Sequence, residues 1–412
     1  MIITPLDQWI DEKIAGQSLA TWQLHSLNRT LQQARNSAFY RKHLPFFKLD
    51  TLRDLEQLPL MSAADIIRED KQLICVHQSE ISRIVSLFTS GSTDDPKRIY
   101  FTCADQELTL DFFARGMPTL VKPYEKMAVL MPCERRDGLG DLICRALKRI
   151  PVEPIAHGLV KNLPQALEML LQSGAQTLVG VPIQILALAR YSVICGRLPR
   201  LHSVLLSADS VPKILVAELK RLWGCEVFQH FGMTETGLGG AIDCSAHQGY
   251  HMREADLYFE VIDPATGVVV PAGQDGEVVF TTLTREGMPL IRYRSGDISA
   301  ILEEPCPCGS KHRRLEFLKG RMDDYLELSA NRRLRMTDLD EMLLPLPQVM
   351  DFSLQVKNHK TELTILTFAQ MAPLSRQQVK EALGDWYPDQ LKIITSKDIR
   401  PLHKGKRLIK YI

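Results

Sequence analysis

Apolar and polar positions follow two different textures along this chain. Residues 18 to 44, SLATWQLHSLNRTLQQARNSAFYRKHL, carry apolar side chains at helical spacing on a polar background and predict an amphipathic entry helix. From residue 160 onward the pattern alternates. Helical spacing over 162–174, 182–192 and 212–224 is interleaved with short apolar runs over 177–181, 203–208 and 225–232 that read as buried strands. Helices and strands in strict succession predict a parallel α/β sheet, with ligands at the carboxyl ends of its strands. Between 256 and 302 the texture changes to short strands separated by turns, which predicts a β-rich subdomain. After GRMDDYLEL (320–328), a helix over 336–346, a hairpin over 352–369, a helix over 375–386 and a strand over 391–396 predict a small α+β module. Its ~90 residues are enough for a small domain. The predicted fold class is α/β with a β-rich subdomain, in one large and one small domain.

Composition narrows the function classes. The 412 residues hold 50 lysines and arginines against 49 acids, so nothing in the charge balance calls for a nucleic-acid partner. The opening MIITPLDQWIDEK meets acids before it could form a secretory apolar core, and stretches such as TLVGVPIQILALA are too short and too interrupted to span a bilayer. A cytoplasmic protein with no membrane partner is expected. Nine scattered cysteines then argue for reduced thiols or a metal site over a disulfide framework.

Four stretches carry candidate chemistry. In SLFTSGSTDDPKRIYFT (86–102) the backbone amides of a Ser/Thr/Gly turn can line an anion-binding nest, with Lys97 supplying charge at its exit. A plain surface turn is the bland alternative. FQHFGMTETG (228–237) puts the Phe231 ring, the Thr234 hydroxyl and the Glu235 carboxylate at the end of a buried strand. Those groups could stack on a base, bond a phosphate and hold Mg2+, although a helix cap followed by an acid reads the same way. Asp297 in RYRSGD suits two ribose hydroxyls, and PLHKGKR offers Lys406 behind a glycine; ordinary turn chemistry and a solvated charge run are their respective alternatives.

Taken together and in this order, the four stretches resemble the adenylate-forming superfamily of acyl-CoA synthetases, in particular its phenylacetate-CoA ligase-like branch. NSAFYRKHLPFFKLDTLRDLEQLPLMSAADI looks like that branch's entry segment and GRMDDYLEL like its interdomain hinge, so the resemblance covers nearly the whole chain. It implies a large N-terminal adenylation domain over 1–322 and a mobile C-terminal domain over 323–412. It also implies ATP, Mg2+ and CoA as co-substrates or cofactors and a small carboxylic acid as substrate, and it leaves room for a homodimer. By resemblance Ser90, Gly91, Ser92, Thr93 and Lys97 surround the pyrophosphate, and Ser207, Ala208 and Asp209 line the adenine side. Phe231 covers the base within the Gly232–Met233 turn, Thr234 meets the α-phosphate and Glu235 the magnesium. Asp297 holds the ribose with Arg321 nearby, Asp323 is the hinge, and Lys406 bridges carboxylate and α-phosphate.

The sequence departs from the family pattern in three places. Asp94 stands where the phosphate loop commonly has glycine, and its carboxylate is expected to face outward or to pair with Lys97 or Arg98. The stretch after the hinge, LSANRRLRMTDLD, lacks the glycine turn that in the superfamily contacts the CoA arm, and SADS replaces a glycine-rich segment on the adenine side. An acyl acceptor other than CoA, such as a carrier or protein thiol or an amine, therefore stays open, as does a catalytically silent nucleotide-binding protein. A second site is predicted from Cys244, His251, Cys306 and Cys308, four soft or borderline ligands from two segments that suit tetrahedral zinc. His247 or His312 could replace His251, and free thiols are the alternative. MPCERRDGLGDLICRALKR (131–149) and the region of His230 line the acyl pocket by resemblance; Arg135 and Arg136 read as exposed charge or as partners of a polar substrate.

Overall fold

The fold is seen in a computed structural model that describes residues 4–87, 96–329, 332–396 and 407–411. The chain divides into two compact units, one made of residues 1–119 and 230–319, the other of 120–229 and 320–412. Among the described residues no helix is long and apolar enough to cross a membrane.

In the second unit the uncharged runs TLVG and SVLL become strands Thr177–Gly180 and Ser203–Leu206, buried at every position. Such strands have both faces covered and so belong inside a parallel sheet. They pair in parallel with Lys126–Leu130 on one side and the first four residues of Glu226–Phe231 on the other, and Glu153–Ala156 pairs in parallel with Lys126–Leu130. Helices cover the sheet. Pro182–Ile194 is almost wholly buried, polar Gln184 and Arg190 included, whereas Leu163–Ser173 and Lys213–Trp223 bury one face and end at left-handed glycines.

The C-terminal part of this unit follows the predicted order. Helix Met336–Leu343 precedes the antiparallel pair Val349–Lys357 and Lys360–Phe368, and Gln390–Ser396 lies parallel to the second of these. One hydrophobic core runs through residues of both segments of the unit, Ile185, Leu215 and Leu219 together with Leu339, Phe352 and Ile365 among them. Arg190, itself buried, donates to the carbonyls of Leu344, Leu346 and Val349 and so satisfies the turn after Met336–Leu343. The stretch without the hinge glycine forms an antiparallel pair, Tyr325–Ser329 with Arg332–Arg335.

The first unit opens with helices Pro5–Ile14, Leu19–Ala34 and Ala38–His43. The single entry helix expected to residue 44 is in fact two. Ser37 interrupts it, because its hydroxyl accepts from the Tyr40 N–H and caps a new helix. Strands Leu257–Ile262, Gly276–Thr282 and Tyr293–Ser299 form the expected antiparallel β-rich part. A second set grows from the last two residues of Glu226–Phe231: Ala241–Asp243, Tyr250–Met252, Arg314–Leu315 and Ile301–Leu302, each antiparallel to the one before.

Candidate active site

The Ser/Thr-rich loop lies outside the described residues, and with it Ser90, Gly91, Ser92, Thr93, Asp94 and Asp95; Lys406 lies outside them too. The frame of the loop is described. Ile81–Leu87 and Lys97–Thr102 pair in antiparallel fashion with Leu87 opposite Lys97, so Lys97 is the first strand residue after the loop. Its side chain turns inward. The ammonium donates to Oε1 of Glu235 and, at 3.4 Å, to the Tyr293 hydroxyl, while that hydroxyl donates to the same carboxylate oxygen at 3.1 Å. Lys97 is 8% exposed and Glu235 1%. A cation, a carboxylate and a phenol thus meet in a buried site at the mouth of the loop. Arg98 is engaged by Asp70 at 3.0 Å.

Glu235 is aimed by a tight turn. Strand Glu226–Phe231 ends at Gly232, where an added Cβ would lie 2.4 Å from the Leu238 carbonyl oxygen and 2.5 Å from the His230 ring, so only glycine fits. The Thr236 hydroxyl accepts from the Met233 N–H at 3.1 Å, and the Leu238 N–H bonds the Met233 carbonyl at 2.8 Å. The turn therefore rests on its own backbone and on Thr236, leaving Thr234 half-exposed and Glu235 pointing in. Tyr293 was not singled out by the sequence; only its position beside the RYRSGD stretch hints at a role. Phe231 is buried with its ring against Tyr250 and Phe259, and His230 lies between Phe112 and Phe113, where burial pushes its imidazole down to about 4.

The other predicted residues fall as follows. Asp297 is buried in strand Tyr293–Ser299, its N–H bonded to the Ser295 hydroxyl at 3.0 Å. Ser207 is buried at the end of Ser203–Leu206, and Ala208 adopts a left-handed φ of 72°. The next side chain, Asp209, is only 1% exposed and bonded to Arg407. Arg321 pairs with the largely exposed Asp323 at 3.1 Å. Arg135 and Arg136 are exposed.

The structure brings Cys244, His251, Cys306 and Cys308 together. Cys244 follows strand Ala241–Asp243, His251 is the middle residue of Tyr250–Met252, and Cys306 and Cys308 sit on the hairpin between Ile301–Leu302 and Arg314–Leu315. Their ligand atoms lie within 4.8 Å of one another, with Cys244 Sγ 3.5 Å from Cys306 Sγ and Cys308 Sγ 3.4 Å from His251 Nε2. Tetrahedral zinc with bonds of ~2.3 Å to sulfur and ~2.0 Å to nitrogen needs ligand separations of about 3.5–3.8 Å, so the group fits. Burial holds His251 neutral, the form that ligates, and pushes the Cys244 and Cys308 thiols up. Of the other two histidines, His247 bonds Asp243 at 2.8 Å, and His312 faces Asp7 and Glu254.

This arrangement can now be set beside known proteins. Residues 46–283, more than half of the chain, match the AMP-binding enzyme family, and the chain belongs to that family. Among the chain's curated relatives are enzymes named phenylacetate-coenzyme A ligase. It is 28% identical to the phenylacetate-coenzyme A ligase of Thermus thermophilus over 327 residues, 76% of this chain and 72% of that one. It is 35% identical to the enzyme of the same name from Aromatoleum evansii over 144 residues, 34% of this chain and 32% of that one. In fold it is similar to 2-hydroxyisobutyryl-CoA ligase in the postadenylation state, with a TM-score of 0.79 and 20% identity, covering 95% of this chain and 89% of that one.

Proposed function

We propose that this chain joins a carboxylic acid to ATP, releasing pyrophosphate, and then transfers the acyl group from AMP to the thiol of CoA. The observation that carries the reading is the buried meeting of Lys97, Glu235 and Tyr293 at the exit of the Ser/Thr-rich loop. The lysine and the carboxylate, bonded to each other, neutralise two charges that would otherwise be costly to bury. Lys97 is placed to bond phosphate oxygens, and Glu235 would hold a Mg2+ ion, which would supply positive charge there.

Adenylation brings one anion onto another. A carboxylate oxygen attacks the α-phosphorus and pyrophosphate leaves, so charge must be countered where the two anions meet; Lys406 has that role, with Thr234 bonding the α-phosphate. Ser90, Gly91, Ser92 and Thr93 cradle the departing phosphates. Ser207, Ala208 and Asp209 lie on the adenine side, Phe231 on the base side with Gly232 and Met233, and Asp297 and Arg321 at the ribose. In the second step the thiol sulfur attacks the acyl carbon, AMP departs and the thiol proton is lost to solvent. Residues 323–412 act as a mobile domain that turns about Asp323 between the steps. The Cys244–His251–Cys306–Cys308 group holds a structural zinc that takes no part in the chemistry.

The test is a product assay with ATP, Mg2+ and a panel of arylacetic, aliphatic, hydroxy and amino acids. AMP formed together with an acyl-CoA thioester, for at least one acid, is the expected result. AMP formed only when an amine or a carrier-protein thiol replaces CoA would overturn the acceptor, and no AMP with any acid would overturn the activity.

A further inference from the structure

The residue after Lys406 is a buried arginine. Arg407 is 1% exposed, and its guanidinium grips Asp340 with both arms, Nη1 to Oδ1 at 2.6 Å and Nη2 to Oδ2 at 2.9 Å. Its Nε and its backbone N–H both donate to Asp209 Oδ2 at 3.3 Å, and its face lies 5.3 Å from the Phe352 ring. Three segments of one unit are thus tied at a single side chain: the loop after Ser203–Leu206, the helix Met336–Leu343 and the end of the chain.

We infer that Arg407 is a positioning residue for adenylation, fastening the chain beside Lys406 to Asp340 and to Asp209 on the adenine-side loop. The inference rests on the proposed role of Lys406. Three observations favour it over simple stabilisation. A buried ion pair is weak evidence of stability, because a well-packed apolar replacement commonly does as well; what it can provide is one defined arrangement. The loop is committed to this contact by the left-handed backbone at Ala208, a conformation that a non-glycine residue adopts only when held there. The neighbouring Glu341 accepts from the N–H groups of Lys213 at 2.6 Å and Ile214 at 3.2 Å, so the same helix turn also caps the helix that follows the loop. Arg407, held by Asp340, and Glu341 together fix both ends of residues 209–213.

One guanidinium serves Asp209 and Asp340 with Asp351 close by, and burial raises the Asp340 carboxyl to about 7 against the pull of Arg407.

The experiment measures the two half-reactions separately in full-length protein, together with the thermal midpoint. Phenylacetate is the first acid tried, followed by the panel acid that wild type uses best. Arg407→Met is expected to lower acid-dependent ATP–pyrophosphate exchange at least tenfold while CoA thiolysis of supplied acyl-adenylate stays within about twofold of wild type. Arg407→Lys, which keeps the charge but not the two-armed grip, should fall between. Asp340→Asn should lower the exchange rate without raising KM for ATP. Equal loss of both half-reactions, or recovery of exchange on cooling, would show a merely structural role and overturn the inference. A raised KM for ATP in Asp340→Asn with an unchanged rate would assign the contact to nucleotide binding and overturn it as well. Wild type without exchange for any acid would overturn the underlying activity, and the role of Arg407 with it.

Discussion

Lys97 and Glu235 show how far single residues could be read before the fold was known. Both could be singled out from the sequence, because a lysine at the exit of a hydroxyl-rich turn and a carboxylate after a buried strand are residue types that phosphate and magnesium need. Their bond to each other could not, since it joins positions 138 apart, and Tyr293 completes it from a third segment. The pair makes a direct prediction. Lys97→Met takes the bonded cation from the buried Glu235 and should destabilise the protein by about 3–5 kcal/mol, with much of that regained in Lys97→Met/Glu235→Gln. Chemical denaturation of the three proteins measures it; additive losses in the double variant would mean that the pair is not coupled.

His230 gives a second prediction at this scale. Its folded pKa of about 4 lies below the ordinary histidine value of 6.5, so the folded state binds less proton than the unfolded one between those pH values. Its contribution to stability is therefore complete above pH ~6.5 and is lost as pH falls toward 4. From pH 7.5 to 5 the loss is about 2 kcal/mol, and His230→Gln should remove that part of the slope. A variant with the same pH dependence as wild type would contradict the assignment.

Among the elements, the parallel strands were readable because runs such as TLVG and SVLL have no charged position to expose, and the helices between them because one face is apolar. The two- and three-residue strands at 241–243, 250–252, 301–302 and 314–315 were not, since their pairing is fixed by tertiary neighbours and no period can show in so few residues. Yet the PCPCG turn that one pair carries was legible through its chemistry. Those short strands have little ladder of their own, and the proposed zinc would hold them together. Purified protein should contain about one zinc per chain by mass spectrometry. Chelation, or Cys306→Ser with Cys308→Ser, should lower the melting temperature by several degrees and raise amide exchange first across residues 241–252 and 301–315. Metal-free protein that melts like the untreated sample would rule the site out.

For the molecule as a whole, the order of motifs carried more than any one of them, and the family match over residues 46–283 agrees with what that order implied. Composition could not reveal how the chain divides. Contacts group 120–229 with 320–412, because apolar positions of both segments fill one core, and such long-range packing leaves no local mark in a sequence. The central claim is that this protein makes an acyl-adenylate with Lys406 at the reacting anions. The most direct test is acid-dependent exchange of labelled pyrophosphate into ATP, without CoA, by wild type and by Lys406→Ala. The account predicts exchange in wild type that requires both the acid and Mg2+ and falls ~10²–10³-fold in the variant, as loss of one preorganised donor does, while ATP still binds. Exchange that needs no acid, or that survives the loss of Lys406, would contradict it.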